Sequence, residues 1–190
     1  MRYLLLILVL YVQPINAKTA EAIFAGGCFW CVEADFDKVP GVLQTNSGYD
    51  GGTEPNPAYE LVSSGTTPYV ESVQVLYDPT RVTYQQLLDY YWHHVDPTVK
   101  DAQFCDHGRQ YRSVIFYLNE EQKKAALASK LALEKQLPKV YTDIIPSTHF
   151  YVAEEYHQNY YKKNPVRYKY YRYRCGRDQR IEELWHVKTN

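Results

Sequence analysis

A short apolar segment, Ala22-Ile23-Phe24-Ala25, runs into Gly26-Gly27 and then into Cys28-Phe29-Trp30-Cys31. An apolar stretch that stops at a glycine pair and resumes with helix-compatible residues reads as a strand turning into a helix. Such a turn puts Cys28 at the helix start, where unpaired backbone N–H groups and the positive end of the helix dipole favour a thiolate. Cys31 lies one helical turn further on, near enough to pair with Cys28 in the manner of a thioredoxin. The aromatics between them suit a pocket that holds an apolar group beside a reactive sulfur. A structural zinc site is poorly served, because Cys105 and Cys175 are isolated and no second pair follows at ligand spacing. A purely structural disulfide is the other alternative.

The chain opens as a targeting segment does. Met1-Arg2 supplies positive charge, Leu4 to Val12 is apolar, and Ile15-Asn16-Ala17 ends on a small residue suited to cleavage. The apolar run is shorter than the roughly 20 residues that span a bilayer. We therefore expect a signal peptide over 1–17, no stable membrane anchor, and one domain over 18–190. Export is expected to be periplasmic, with secretion as the alternative; either compartment lets cysteines pair. A net charge of −1 gives no reason to expect nucleic acid as a partner.

Strand and helix signals alternate. Strands are expected at Ala22–Ala25, Val42–Tyr49, Tyr69–Tyr77, Tyr111–Leu118 and His149–Val152, with turns at Asp50-Gly51-Gly52 and Asp78-Pro79. Helices are expected from Cys28 to Lys38, around Leu87, Leu88, Tyr91, Trp92 and Val95, after an Asn119 cap up to Pro138, and over Glu154–Lys163. Beyond Pro165 only Ile181–Trp185 reads as regular. This order indicates an α/β (α+β) single domain: a central mixed sheet flanked by helices, a ferredoxin-like sandwich with a long wrapping C-terminal tail.

The blocks Gly27-Cys28-Phe29-Trp30, Gly48-Tyr49-Asp50-Gly51-Gly52, Asn56-Pro57-Ala58-Tyr59, Val75-Leu76-Tyr77-Asp78-Pro79, Asp106-His107-Gly108-Arg109-Gln110-Tyr111-Arg112-Ser113 and Tyr156-His157-Gln158-Asn159-Tyr160 occur in this order. Together they resemble the peptide methionine sulfoxide reductases of the A class, over about Ala22 to Pro165. The chain departs from the family pattern at Pro68-Tyr69-Val70, where Gly and His usually precede the acidic residue, and in carrying Cys31 and Cys105.

That resemblance implies reduction of the S epimer of methionine sulfoxide, free or in oxidised proteins and peptides. It needs no metal or bound organic cofactor, and its electrons come from a thioredoxin-like dithiol. Cys28 is the candidate nucleophile. The resemblance implies Glu71 as the acid that protonates the sulfoxide oxygen, its pKa raised by partial burial. It implies Tyr59 and Tyr111 as uncharged donors to that oxygen, Phe29 and Trp30 as the wall for the S-methyl group, and Asp106 as an organising carboxylate. A second thiol then condenses with the Cys28 sulfenic acid. Position in the family favours Cys175 as that resolving cysteine, with Cys31 close behind; a structural pairing of Cys105 stays open.

Between Tyr160 and Arg180 there are eight Lys or Arg against the single acid Asp178, interleaved with tyrosines. Basic and aromatic residues so mixed can bind single-stranded nucleic acid, which export disfavours. A tail that packs its tyrosines and lays its basic stems over apolar surface is the expected reading, with a docking surface for an electron donor as the alternative. Two other function classes compete with the reductase. A thiol–disulfide oxidoreductase would use Cys28 and Cys31 without Glu71, and a disulfide-stapled binding module would use no chemistry at all.

Overall fold

The computed structural model describes residues 19–186; the expected signal peptide over 1–17 lies outside them. Strand β1 (Ala20–Ala25) leads through Gly26-Gly27 into helix α1 (Phe29–Phe36). Then come β2 (Val42–Asp50), α2 (Tyr59–Ser63), β3 (Val70–Tyr77) and α3 (Tyr84–Trp92). A small hairpin, β4 (Ala102–Gln103) and β5 (Asp106–His107), precedes a 3-10 turn at Arg109–Tyr111. Strand β6 (Val114–Tyr117), α4 (Glu120–Leu133), β7 (Asp143–Pro146) and β8 (Tyr151–Val152) follow. Three helices close the chain: α5 (Tyr160–Lys163), α6 (Pro165–Arg174) and α7 (Arg177–Trp185).

The six-stranded sheet runs β7-β6-β1-β3-β2-β8. Only β6 and β7 pair parallel, so the sheet is mixed, and its four central strands have the ferredoxin-like order. The apolar run of β1 has no polar alternation because both of its faces are covered. Ala22 and Phe24 join the large core with Val32 and Phe36 of α1, Leu87, Leu88 and Tyr91 of α3, and Ala126 and Leu133 of α4. Ile23 and Ala25 face a second cluster with Val70, Val114 and Phe116. The Tyr91 hydroxyl donates to the Ala25 carbonyl at 2.8 Å, which pins the end of β1 just before the cysteines. The turn itself requires its glycines. Gly27 has a φ of +85°, and a Cβ on Gly26 would stand 2.6 Å from the Val95 side chain.

Local signals account for most element ends. The Asn119 side chain accepts the Gln122 N–H at 2.9 Å, which caps α4 as expected. Thr83 and Gln86 form a reciprocal capping box at the start of α3. Three expectations fail. The helix expected over Glu154–Lys163 is reduced to its last turn, because Asn159 takes a φ of 52° and its N–H goes to Glu33. Tyr111 lies in the 3-10 turn and not in a strand. In the tail after Pro165, Ile181–Trp185 is helical as expected, but it belongs to a longer α7, and α6 before it had shown no regular pattern.

Those tail helices are held by buried charge as well as by the buried Tyr168 and Ile181. Asp35, buried in α1, faces Arg172 of α6 at 2.8 Å and Arg177 of α7 at 3.5 Å. Arg177 also donates to the carbonyls of Gly26 and His94, at 2.9 and 2.8 Å. The expectation that basic stems merely cover apolar surface is thus corrected for these two arginines. Tyr160 and Tyr168 do pack inward, against Cys31 and Ala34. Removing one partner of a buried ion pair strands the other. Asp35→Ala is therefore expected to cost about 3–5 kcal/mol by chemical denaturation, with limited proteolysis cutting first within 165–185.

Candidate active site

Helix α1 carries the cysteines. Cys28 is its N-cap residue, and the Cys28 carbonyl accepts the N–H of Cys31 at 3.0 Å. The expected thiolate at this helix start is not what the geometry produces. Cys28 is only 8% exposed. Burial pushes its thiol pKa well up, helped by a hydrogen bond with Cys31, so the resting group is a neutral thiol. Cys31 is shifted the other way: the hydrogen bond from Cys28 lowers its pKa against the effect of burial, and Arg177 and Arg172 add to the lowering. Of the two sulfurs, Cys31 is the one that bears charge more readily.

The first free N–H of α1 serves a carboxylate instead. Phe29 N–H donates to Glu71 Oε2 at 3.0 Å. Glu71 sits on β3 and is 2% exposed, although an isolated Glu in an alternating strand ordinarily marks a solvated face. Burial pushes its pKa up to about 8, against the pull of the Phe29 amide and with help from Asp106 and Cys31. At neutral pH it holds its proton and can donate it.

Cys28, Phe29, Trp30, Tyr59, Glu71, Asp106, Tyr111 and Tyr171 line one cavity of about 90 Å³. Five separate stretches of chain converge there, and seven of the eight residues were singled out in the sequence. The volume is that of about three waters in the liquid, enough for a methyl-sulfinyl head and not for a whole side chain. Tyr59 and Tyr111 are both raised in pKa by burial, so each remains a neutral donor. Asp106 is likewise raised by burial, against the stabilising effect of Tyr171 and the Cys28 amide.

Three residues to which sequence reasoning gave no site role hold this arrangement. Tyr171, on α6, donates to Asp106 Oδ2 at 2.7 Å and meets Trp30 edge-on. His157 accepts the Trp30 indole N–H at 3.0 Å and packs against Phe29 and Tyr59. Glu154 accepts the Tyr59 N–H at 2.9 Å and the Tyr49 hydroxyl at 2.7 Å. Tyr171 is one of 20 tyrosines, with no local signal to single it out.

Cys175 does not meet Cys28. It forms a disulfide with Cys105, while Cys28 and Cys31 are both free and buried. The favoured resolving role of Cys175 is therefore not what this arrangement presents; the thiol beside Cys28 is Cys31. Cys105, Asp106 and Cys175 cluster closely enough to suggest metal ligands, but their sulfurs are committed to each other.

A family model described as peptide methionine sulfoxide reductase matches residues 20–189. The MsrA protein of Halalkalibacterium halodurans is 50% identical over 171 residues, which cover 88% of this chain and 97% of that one. The MsrA/MsrB protein of Vibrio cholerae is 45% identical over 183 residues, covering 94% of this chain and 48% of its own length. Mxr1 from Saccharomyces cerevisiae in reduced form superposes with a TM-score of 0.75 at 34% identity, over 82% of this chain and 91% of that one. In complex with Trx2, Mxr1 gives a TM-score of 0.55 at 25% identity, over 79% and 90%.

Glu154 tethers Tyr59 to the wall through backbone and not through the phenol. Glu154→Ala leaves the buried Tyr49 hydroxyl without its acceptor, so a loss of about 1–3 kcal/mol in stability is expected. Denaturant titration checks this, and the affinity for a sulfoxide ligand should fall with it.

Proposed function

Because the chain belongs to the peptide methionine sulfoxide reductase family, we propose that the cavity at the start of α1 is the seat of its thiol-dependent reduction of methionine S-sulfoxide. The observation that carries this assignment is the convergence of a buried thiol, a protonated carboxyl and two neutral phenols on one small cavity with aromatic walls. Each answers a need of the reaction. The sulfoxide methyl rests on Phe29 and Trp30, where an aromatic face favours sulfur by about 0.3–1.5 kcal/mol. Tyr59 and Tyr111 donate to the oxygen, and Glu71 delivers a proton to it as the Cys28 sulfur attacks. The Cys28 proton replaces the one that Glu71 gives up, so the carboxyl ends the step protonated as it began.

The oxygen leaves on Cys28 as a sulfenic acid, and methionine is released. Cys31 then attacks Cys28, which forms their disulfide and expels water. Overall, two thiols and one sulfoxide become a disulfide, a thioether and a water. This assigns resolution to Cys31, supported by its place next to Cys28 and by the engagement of Cys175 elsewhere. A thioredoxin-like dithiol restores the pair, a reading supported by the complex of yeast Mxr1 with Trx2. Oxidised proteins and peptides are the substrates. The site works in the periplasm, a proposal supported by the leader-like residues Met1 to Ala17; there the donor must be kept reduced against the resident oxidant.

The test is single-turnover reduction of a methionine S-sulfoxide peptide by protein whose Cys28 and Cys31 are reduced. One methionine should form for two thiols lost, and the new disulfide should map to Cys28–Cys31. Cys31→Ser should still yield methionine but stop at the sulfenic acid. No methionine, with all thiols retained, would sink the assignment and favour thiol–disulfide exchange. Glu71→Gln should slow the step by about 10²–10⁴-fold while sparing disulfide exchange. The acid must hold its proton to act, so the rate should fall as pH rises through about 8, and Glu71→Gln should remove that limb.

A further inference from the structure

The reaction as derived makes no use of the Cys105–Cys175 disulfide, yet its placement is specific. Cys105 lies in the turn of the β4–β5 hairpin, immediately before Asp106. Cys175 is the C-cap of α6, and its N–H donates to the Tyr171 carbonyl at 2.9 Å. The Cys105 N–H in turn meets Cys175 Sγ at 3.2 Å. Asp106 and Tyr171 are the two ends of the 2.7 Å hydrogen bond on the cavity wall. The covalent bond therefore runs parallel to that hydrogen bond: one residue along the chain on one side, one helical turn on the other.

We propose that the Cys105–Cys175 disulfide is a positioning device for the reductase site, holding the Tyr171–Asp106 contact closed so that the wall beside Cys28 keeps its shape. Each segment is tied elsewhere, Gln103 to the Asp96 backbone and Arg172 to Asp35, whereas the disulfide joins the hairpin turn directly to the end of α6. The hairpin strands are two residues each, and α6 turns the exposed Tyr170 and Tyr173 outward, 67% and 81% exposed, on the side away from the cavity. A hydrogen bond shared between a short hairpin and a helix end opens readily unless its backbone is constrained. Cys105 is itself exposed, so a dithiol can reach the bond. Opening takes two electrons and two protons from the dithiol, which leaves as a disulfide, and yields the thiols of Cys105 and Cys175. The wall would then loosen without any change in Cys28, Glu71, Tyr59 or Tyr111.

Two measurements test the device, and only the second rests on the reductase reading. The first is the rate at which iodoacetamide alkylates Cys28. It is compared in native enzyme with the disulfide verified by thiol count, in Cys105→Ser/Cys175→Ser, and in native enzyme opened by a dithiol and desalted. Both opened forms should react about two- to tenfold faster, the scale of losing one net hydrogen bond. Tyr171→Phe should give a similar increase in the closed enzyme and less than twofold in the opened one, since the same contact is already lost. The second is steady-state turnover, where opening should raise KM for a methionine S-sulfoxide peptide by a similar factor and leave kcat within about twofold. A lower melting temperature with alkylation rate and KM unchanged, or a full and independent effect of Tyr171→Phe in the opened enzyme, would make the disulfide a stability staple only and overturn the proposal. Faster alkylation on opening, in an enzyme that turns over no sulfoxide in any form, would uphold the device and fail the reductase reading.

Discussion

The buried carboxylate of Asp35 governs more of this molecule than any other single group. It projects from an eight-residue helix whose first turn carries both free cysteines, and it takes the charge of two arginines from the end of the chain. Arg172 has a second partner in Asp178 at 2.5 Å, and Arg177 has the carbonyls of Gly26 and His94. Each arginine is thus hydrogen-bonded elsewhere as well, while Asp35 meets them through ion pairing alone, so its charge depends wholly on theirs. What it secures is position. With the arginines seated, Tyr160 stacks on Trp30 at 3.7 Å between ring centroids, and Tyr171 reaches Asp106.

The cavity beside that helix works by withholding water from groups that would otherwise ionise. Desolvation keeps Glu71 protonated, Cys28 a thiol and the tyrosines neutral, each for the same reason. A reaction that ends with oxygen on sulfur needs protons delivered and little standing negative charge. Of the cysteine pair, Cys31 is the one whose pKa is lowered, by its hydrogen bond with Cys28 and by the arginines. The ion cluster therefore shapes the site twice, through packing and through the field it imposes on the pair.

Much of this was legible because it is local. The run from Ala22 to Lys38 declares a strand, a glycine turn and a helix within a few residues, and Asn119 and Gln122 cap α4 where their spacing says they should. Glu71 was legible as a chemical residue only through family resemblance: it shares the face of Val73, Val75 and Tyr77, so the strand's alternation turns it toward α1 without saying what a carboxyl does there. The tail was illegible for a different reason. Only Ile181–Trp185 read as helical; α6 has no apolar period, and the partner of both helices, Asp35, lies more than a hundred residues earlier in the chain. The cysteine pairing was equally out of reach, because four cysteines allow three connectivities and spacing does not choose among them.

Arg177 reaches the carbonyl of Gly26 across 151 residues of sequence. A ribosome releases the thiol-bearing helix long before the arginine, and contacts so distant in sequence form late. Until the final helices emerge, the nascent chain holds Cys28 and Cys31 as two ordinary thiols, with no Tyr171 at the wall and no guanidinium near the pair. A chain that stops short of Arg177 therefore lacks both the wall and the field that the cysteine pair meets in the folded domain.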